Sequence, residues 1–78
     1  MPMIRICVKL FAQYREGRFK VEERMYKEGS CAQDIIEELA LTKELPLGVL
    51  MVNSKHQPTS YILQEGDIVA LFPKVGGG

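Results

Sequence analysis

The chain ends in GDIVALFPKVGGG, residues 66–78, and this stretch is the most informative part of the sequence for the architecture. Its first two residues, Gly66 and Asp67, are typical of a turn. Residues 68–72 are all apolar, and an apolar run of this length predicts a strand at the centre of a sheet, buried on both faces. Pro73 has no N–H to donate and ends the strand. The sequence therefore predicts a central strand that continues directly into a slender, glycine-rich tail.

The N-terminal part of the chain predicts two further strands joined as a hairpin. Residues 3–10 alternate between apolar and polar side chains, which is typical of a strand with one buried face. Residues 11–17 contain a glycine and charges and are predicted as the turn. Residues 18–26 alternate again, with Phe19 and Val21 expected on the inner face. The inner face of the first strand is expected to carry Ile4, Ile6, Val8 and Leu10.

One amphipathic helix is predicted after the hairpin. Gly29 and Ser30 break the strand pattern, and Ser30 with Gln33 has the spacing of a capping box, in which each side chain satisfies a backbone N–H at the helix start. The helix is expected to run for about three turns. It ends before Pro46, because proline cannot continue a helix. Its apolar stripe consists of Ala32, Ile35, Ile36 and Leu39.

The remaining segments complete an α+β fold. Residues 49–52 predict a third apolar strand, and residues 53–64 a loop with at most a short turn. A mixed sheet of four to five strands with the helix across one face accommodates this order, and the first and last strands then lie side by side at its centre. Val69 and Leu71 are assigned to the core, and whether Phe72 belongs to the core or to the opposite surface stays open at this point.

The length and composition of the chain argue against several classes of function. A chain of 78 residues forms one domain, and ten basic residues balance ten acidic ones. This balance argues against a nucleic-acid binder and gives no attraction to an anionic membrane. No apolar run is long enough to span a bilayer, and the N-terminus lacks the layout of a signal peptide, so we expect a cytoplasmic protein. Cys7, Cys31 and His56 do not form a zinc pattern, and His56 is expected to be a solvated loop residue.

The glycine tail is the candidate functional segment. Taken alone, a terminal run of glycines is better explained as a passive, disordered end, and the remnant of a tag is a further explanation. As a working part, however, residues 74–78 span roughly 17 Å when extended and carry few side chains, so they can enter a narrow channel of another protein. The terminal carboxylate is ionised in the cell and is a poor electrophile. It must be activated, for instance as an acyl-adenylate made with ATP by another enzyme, before it accepts sulfur or couples to an amine.

Several motifs in order resemble one protein family. The end of the chain, residues 66–78, is similar to the small subunit of molybdopterin synthase, and so are LFAQYRE at residues 10–16, Val52-Asn53, and LQEGD at residues 63–67. The chain thus resembles the MoaD/ThiS-type sulfur carriers over nearly its whole length. The resemblance implies a ubiquitin-like β-grasp fold, with residues 1–73 as the domain and residues 74–78 as a flexible tail.

The resemblance also implies partners and site residues. Gly78 would be adenylated by an E1-like enzyme of the MoeB/ThiF type that uses ATP, and would then become a thiocarboxylate, with Gly77 as its slender neighbour. The sulfur would pass to a precursor held by the large subunit of molybdopterin synthase, or by thiazole synthase. The chain itself would bind no cofactor and would not be an enzyme alone. The implied partner-binding residues are Phe11, Arg15, Phe72, Pro73, Lys74, Val75 and Gly76.

Three alternatives remain open at this stage. Lys74 stands where the molybdopterin subunit often has a second proline, and the Val-Gly-Gly-Gly ending is closer to the thiamine sulfur carrier, so thiazole synthesis competes with molybdopterin synthesis. A ubiquitin-like modifier, which couples its terminal glycine to lysines, uses the same activated end. A β-grasp interaction module with a passive tail is the third alternative.

Overall fold

The computed structural model describes residues 2–43 and 45–74. Within these residues the chain forms five strands, one α-helix and two short 3-10 helices, in the predicted α+β order. The strands are β1 (Met3–Leu10), β2 (Val21–Lys27), β3 (Leu47–Val52), β4 (Lys55–His56) and β5 (Ile68–Pro73); the α-helix is α1 (Ala32–Glu38), and the 3-10 helices are Ala12–Arg15 and Leu41–Lys43.

The strands form one mixed sheet in the order β2-β1-β5-β3-β4. β1 and β5 are parallel neighbours at its centre, as predicted, and the other pairs are antiparallel. The side chains of Val69 and Leu71 are fully buried against the helix side. The opposite face of β5 is not buried as the apolar run suggested, because Ile68 keeps 42% of its surface exposed. The core therefore lies on one side of the sheet only.

The helix begins one residue later than predicted and is shorter. It covers seven residues, about two turns, with Cys31 as its N-cap. The Asp34 carboxylate accepts the Cys31 N–H at 2.8 Å, so the predicted pairing of Ser30 with Gln33 is wrong. The reason is that the Ser30 carbonyl accepts the N–H of Leu63 at 2.8 Å, which holds Ser30 in extended pairing with the loop before β5.

β2 presents a different face to the core than predicted. Val21, expected inside, is 59% exposed on the outer face. Tyr26, Arg24 and Glu22 instead lie opposite the buried residues of β1. Arg24 forms ion pairs with Glu22 and, at 3.3 Å, with Glu38 of the helix. The Tyr26 hydroxyl donates to Glu38 at 2.8 Å. This polar cluster covers the flank of the core where the sequence pattern indicated apolar residues.

The segment before β5, predicted as a loop, contains β4 and a buried carboxylate. Asp67 is 5% exposed. It accepts the amide of Asn53 at 2.8 Å, the hydroxyl of Tyr61 at 2.9 Å and the backbone N–H of Gln64 at 2.8 Å. The Asn53 side-chain oxygen accepts the N–H of Ile68 at 2.9 Å. These bonds tie the β3–β4 turn to the start of β5 and set where the central strand begins.

Within residues 2–43 and 45–74, no helix is both long and apolar enough to cross a membrane.

Candidate functional site

Two phenylalanines predicted as partner contacts lie together on the sheet face opposite the helix. The rings of Phe11 and Phe72 are stacked, with centroids 4.3 Å apart and planes 11° from parallel. Phe11 follows β1 directly, and its N–H donates to the carbonyl of Leu71 at 3.2 Å. Phe72 alternates with Leu71 and therefore faces away from the core. Both rings are half-buried, so the pair offers an aromatic surface outside the core.

Arg15 places a positive charge over this aromatic pair. Its guanidinium carbon lies 5.1 Å from the centre of the Phe11 ring, within the range of a cation–π interaction. The Arg15 Nε donates to the carbonyl of Leu10 at 2.8 Å, which fixes the side chain. The 3-10 helix that carries Arg15 is anchored by Tyr14, whose side chain is buried and whose hydroxyl donates to the carbonyl of Leu45 at 3.0 Å. Burial raises the pKa of Tyr14, against the opposing charge of Arg18, so this donor stays neutral.

An open groove of about 470 Å³ runs beside the aromatic pair. Phe72 contributes to both features, so the groove and the stacked rings form one continuous surface. The 3-10 helix at Ala12, the outer face of β3, strand β4 and the end of β5 contribute its walls. The lining residues are Ala12, Val49, Met51, His56, Phe72 and Pro73. The surface is therefore mainly apolar and open to solvent, which is typical of a protein-docking site rather than a catalytic pocket.

His56 is one of the groove-lining residues that the sequence analysis did not predict as site residues; the others are Ala12, Val49 and Met51. It lies on β4, opposite Met51, and not in a loop. The residues that make the turn, Asn53 and Ser54, both have positive φ, as the tightest hairpin turns require. An Asn-Ser pair directly after an apolar strand was the available signal. Read as a hairpin turn, it pairs the following residues with β3 and brings His56 to the groove.

The last described residues lead from the groove into the tail. Pro73 lines the groove and is buried, whereas Lys74 is exposed. The N–H of Lys74 donates to the carbonyl of Pro46 at 2.8 Å. The predicted site residues Val75, Gly76, Gly77 and Gly78 lie outside the described residues. The groove, the aromatic pair and the root of the tail thus meet at one end of the sheet.

No group of three or more His, Cys, Asp or Glu side chains within the described ranges could hold a metal ion. Cys7 and Cys31 are both free thiols and lie on different elements, β1 and the N-cap of α1.

Comparison with known proteins identifies relatives. A sequence model described as the ThiS family matches residues 8–78. A structure from Pyrococcus furiosus, described as a molybdopterin converting factor, subunit 1, is 30% identical with a TM-score of 0.76, covering 92% of this chain and 99% of that one. No curated protein sequence matches.

Two further solved structures share the fold. Small archaeal modifier protein 1 from Haloferax volcanii is 20% identical with a TM-score of 0.76, covering 92% of this chain and 99% of that one. A complex of subunits 1 and 2 of the molybdopterin-converting factor from Helicobacter pylori gives 22% identity and a TM-score of 0.62, covering 96% of this chain and 100% of the matched one. At these identities the likeness concerns the fold, and the predicted ubiquitin-like β-grasp architecture is confirmed.

Proposed function

Because the chain belongs to the ThiS family of ubiquitin-like sulfur carriers, we propose that Gly78 carries sulfur as a terminal thiocarboxylate and donates it in molybdopterin biosynthesis. The observation that carries this proposal is the family match itself, since it extends through the terminal glycines to residue 78. The 30% identity to a molybdopterin converting factor subunit favours the molybdopterin pathway over thiazole synthesis.

The proposed chemistry divides between this chain and its partners. A carboxylate oxygen of Gly78 attacks the α-phosphate of ATP on an adenylating enzyme, and pyrophosphate leaves. Hydrosulfide then attacks the carbonyl carbon, the bond from this carbon to the AMP oxygen breaks, and AMP leaves as the thiocarboxylate forms. The thiocarboxylate sulfur then bonds to its acceptor, water attacks the same carbonyl carbon, and the acyl–sulfur bond breaks, which leaves the sulfur on the acceptor and Gly78 as a carboxylate again. This chain supplies the terminal carboxylate and the reach, and its partners supply ATP, sulfur and catalysis.

The groove and the Phe11–Phe72 pair are the proposed docking surface for these partners. The surface is apolar at its floor and carries the positive charge of Arg15 over Phe11. Burial of aromatic residues in a partner pocket is a frequent source of binding energy. Because Phe72 lies two residues before Lys74, a partner held here also holds the root of the tail close to its own active site. The adenylating enzyme and a molybdopterin synthase large subunit would then use the same face in turn.

Complementation of two bacterial strains tests the pathway. One strain lacks its molybdopterin synthase small subunit and the other its thiamine sulfur carrier. We expect this chain to restore molybdenum-enzyme activity in the first strain and not thiamine-independent growth in the second. A chain that lacks only Gly78 is the matched control and should restore neither. Rescue of the thiamine strain alone would move the proposal to thiazole synthesis.

A ubiquitin-like modifier is the second candidate function, since the chain shares its fold with small archaeal modifier protein 1. This function predicts proteins joined to Gly78 through lysine isopeptide bonds. Such adducts should appear in cells that express the wild-type chain and not in cells that express the chain without Gly78. Adducts without any rescue of the molybdopterin strain would favour the modifier.

A further inference from the structure

Gly48 lies against the root of the tail at a distance that no other residue type allows. A methyl group placed on its Cα would lie 2.8 Å from each of three backbone atoms: the carbonyl oxygen of Pro73, and the N and Cα of Lys74. Contacts this short do not occur at real side chains. All three neighbours are backbone atoms, so they cannot be relieved by the rotation of a flexible side chain.

The requirement at Gly48 is for space and not for backbone freedom. Its φ lies outside the left-handed region, whereas Gly17, Gly29 and Gly66 have φ between +71° and +96° and nothing within 4 Å of a built methyl group. Another residue could therefore adopt the torsion angles of Gly48, but its side chain would occupy the path of residues 73 and 74. Glycine inside a strand often marks such a close approach of another backbone.

A β-bulge brings Gly48 to this position. Leu47 pairs with Pro73 and Val49 pairs with Phe72, so Gly48 is an extra residue on β3. On the same side, the Pro46 carbonyl accepts the Lys74 N–H at 2.8 Å. The tail root is thus hydrogen-bonded to residue 46 and in close contact with residue 48. A hydrogen bond and a close backbone contact thus fix the position of Lys74, the last described residue.

We infer that Gly48 is a positioning residue for the carrier tail, with Pro46 as its hydrogen-bonding partner. The inference rests on the proposed function. The direction of the tail matters only if the terminal carboxylate must enter a partner's active site while the same partner is bound at the groove. A side chain at residue 48 pushes Lys74 off the β3 edge and misdirects the tail. Pro73 is the one groove-lining residue among the atoms nearest to the added methyl group, whereas the Phe11 and Phe72 rings and Arg15 are not among them, so the aromatic part of the docking surface keeps its shape.

The first test is structural and needs no partner. In the wild-type protein, the Lys74 amide should be protected from hydrogen exchange by its bond to Pro46. In Gly48→Ala we expect this protection to fall at least tenfold, while the core amides of Leu71 and Val69 stay protected. A Gly48→Ala protein with an unchanged Lys74 amide would overturn the inference. So would a variant that fails to fold, since Gly48 would then be required by the sheet and not by the tail.

The second test separates docking from delivery. It uses a purified adenylating enzyme that activates the wild-type chain, and measures pyrophosphate exchange as the chain concentration varies. Gly48→Ala should lower kcat about tenfold or more with KM within about twofold, because small misplacements of reacting groups are costly. Gly29→Ala is the matched control: it strains a residue at φ +96° remote from the tail, and should lower stability without changing kcat or KM.

The outcomes distinguish this inference from the proposed function. If no adenylating enzyme activates the wild-type chain, the carrier function fails, yet hydrogen exchange still reports whether Gly48 holds the tail root. If the wild type is activated and Gly48→Ala has the same kcat, the positioning role fails and the carrier function stands.

Discussion

Leu71 and Phe72 are neighbours on β5 whose side chains serve opposite faces of the sheet. Leu71 is fully buried under the helix, and Phe72 stacks on Phe11 beside the groove. One residue step therefore separates a side chain that stabilises the domain from one that is available to a partner. Pro73, at the end of β5, is buried and also lines the groove.

Matched alanine variants at these two residues should separate stability from activation. Leu71→Ala is expected to lower the free energy of unfolding by about 2–5 kcal/mol, because it leaves a cavity in the core. Phe72→Ala should cost less, since the Phe72 ring is only half-buried, but should strongly raise KM for adenylation. Urea unfolding and pyrophosphate exchange measure the two effects. Equal losses of stability with no change in KM would show that Phe72 is a structural residue.

Because of Tyr26, the free energy of unfolding is expected to fall at alkaline pH. Burial and its hydrogen bond to Glu38 raise its pKa to about 12, above the ordinary value of 10.0. The neutral hydroxyl is favoured in the folded protein, so its contribution is complete below pH 10 and is lost as the pH rises towards 12. In Tyr26→Phe, the fall in unfolding free energy over this range should be shallower. Urea unfolding at several pH values measures it, and an identical slope in both proteins would contradict the assignment.

At the scale of elements, α1 depends on the segment that precedes β5. The N–H of Ala32 donates to the carbonyl of Tyr61 at 3.0 Å, and that of Gln33 to the carbonyl of Thr59 at 2.9 Å. The first donors of a helix have no partner within it. Here the loop and the Asp34 carboxylate satisfy them. A helix of two turns is too short to be stable alone, so α1 and this loop should form together.

The helix start can be tested with two adjacent substitutions. Asp34→Ala removes the acceptor for the Cys31 N–H and should lower the free energy of unfolding by about 1 kcal/mol. Gln33→Ala removes only an exposed contact to Glu37 and should cost at most a few tenths of a kcal/mol. Urea midpoints compare the two. A larger loss for Gln33→Ala would restore the capping box that the sequence pattern favoured.

The elements also show how far sequence reasoning reaches. β1 and β5 were predictable because each has a regular apolar pattern, and a short apolar run at the end of the chain belongs at the centre of a sheet. Which face of β2 turns towards the core was not predictable. The helix side of β2 is covered by a polar cluster of Arg24, Tyr26 and Glu38, and this cluster depends on tertiary contacts. The spacing of Ser30 and Gln33 could not predict that the Ser30 carbonyl accepts a hydrogen bond from the N–H of Leu63.

Some residues of the site were predictable from the sequence, and its geometry was not. Phe11, Arg15 and Phe72 were chosen because of the family resemblance. Nothing in their spacing shows that the two rings stack or that Arg15 lies over one of them. His56 and Gly48 were not predicted as functional residues, for a related reason. Their importance comes from residues distant in sequence: Met51 and the groove for the first, and the backbone of Lys74 for the second.

The whole molecule is a small domain whose proposed working group lies at its C-terminus. One face of the sheet holds the core, and the other holds the groove, the aromatic pair and Arg15. The tail root at Lys74 is hydrogen-bonded to Pro46, just before β3. This arrangement suits the proposed carrier function, in which the body would be recognised by successive partners and the terminal carboxylate would be processed inside each of them.

The intact mass of the whole chain tests the carrier function most directly. The protein is incubated with ATP, an adenylating enzyme of the ubiquitin-activating type and a sulfur donor, and is then weighed by mass spectrometry. We predict a gain equal to the replacement of one oxygen by sulfur, which disappears when ATP is omitted or Gly78 is deleted. An unchanged mass with every activating enzyme and donor tried, or the same gain in the chain without Gly78, would contradict the proposed thiocarboxylate.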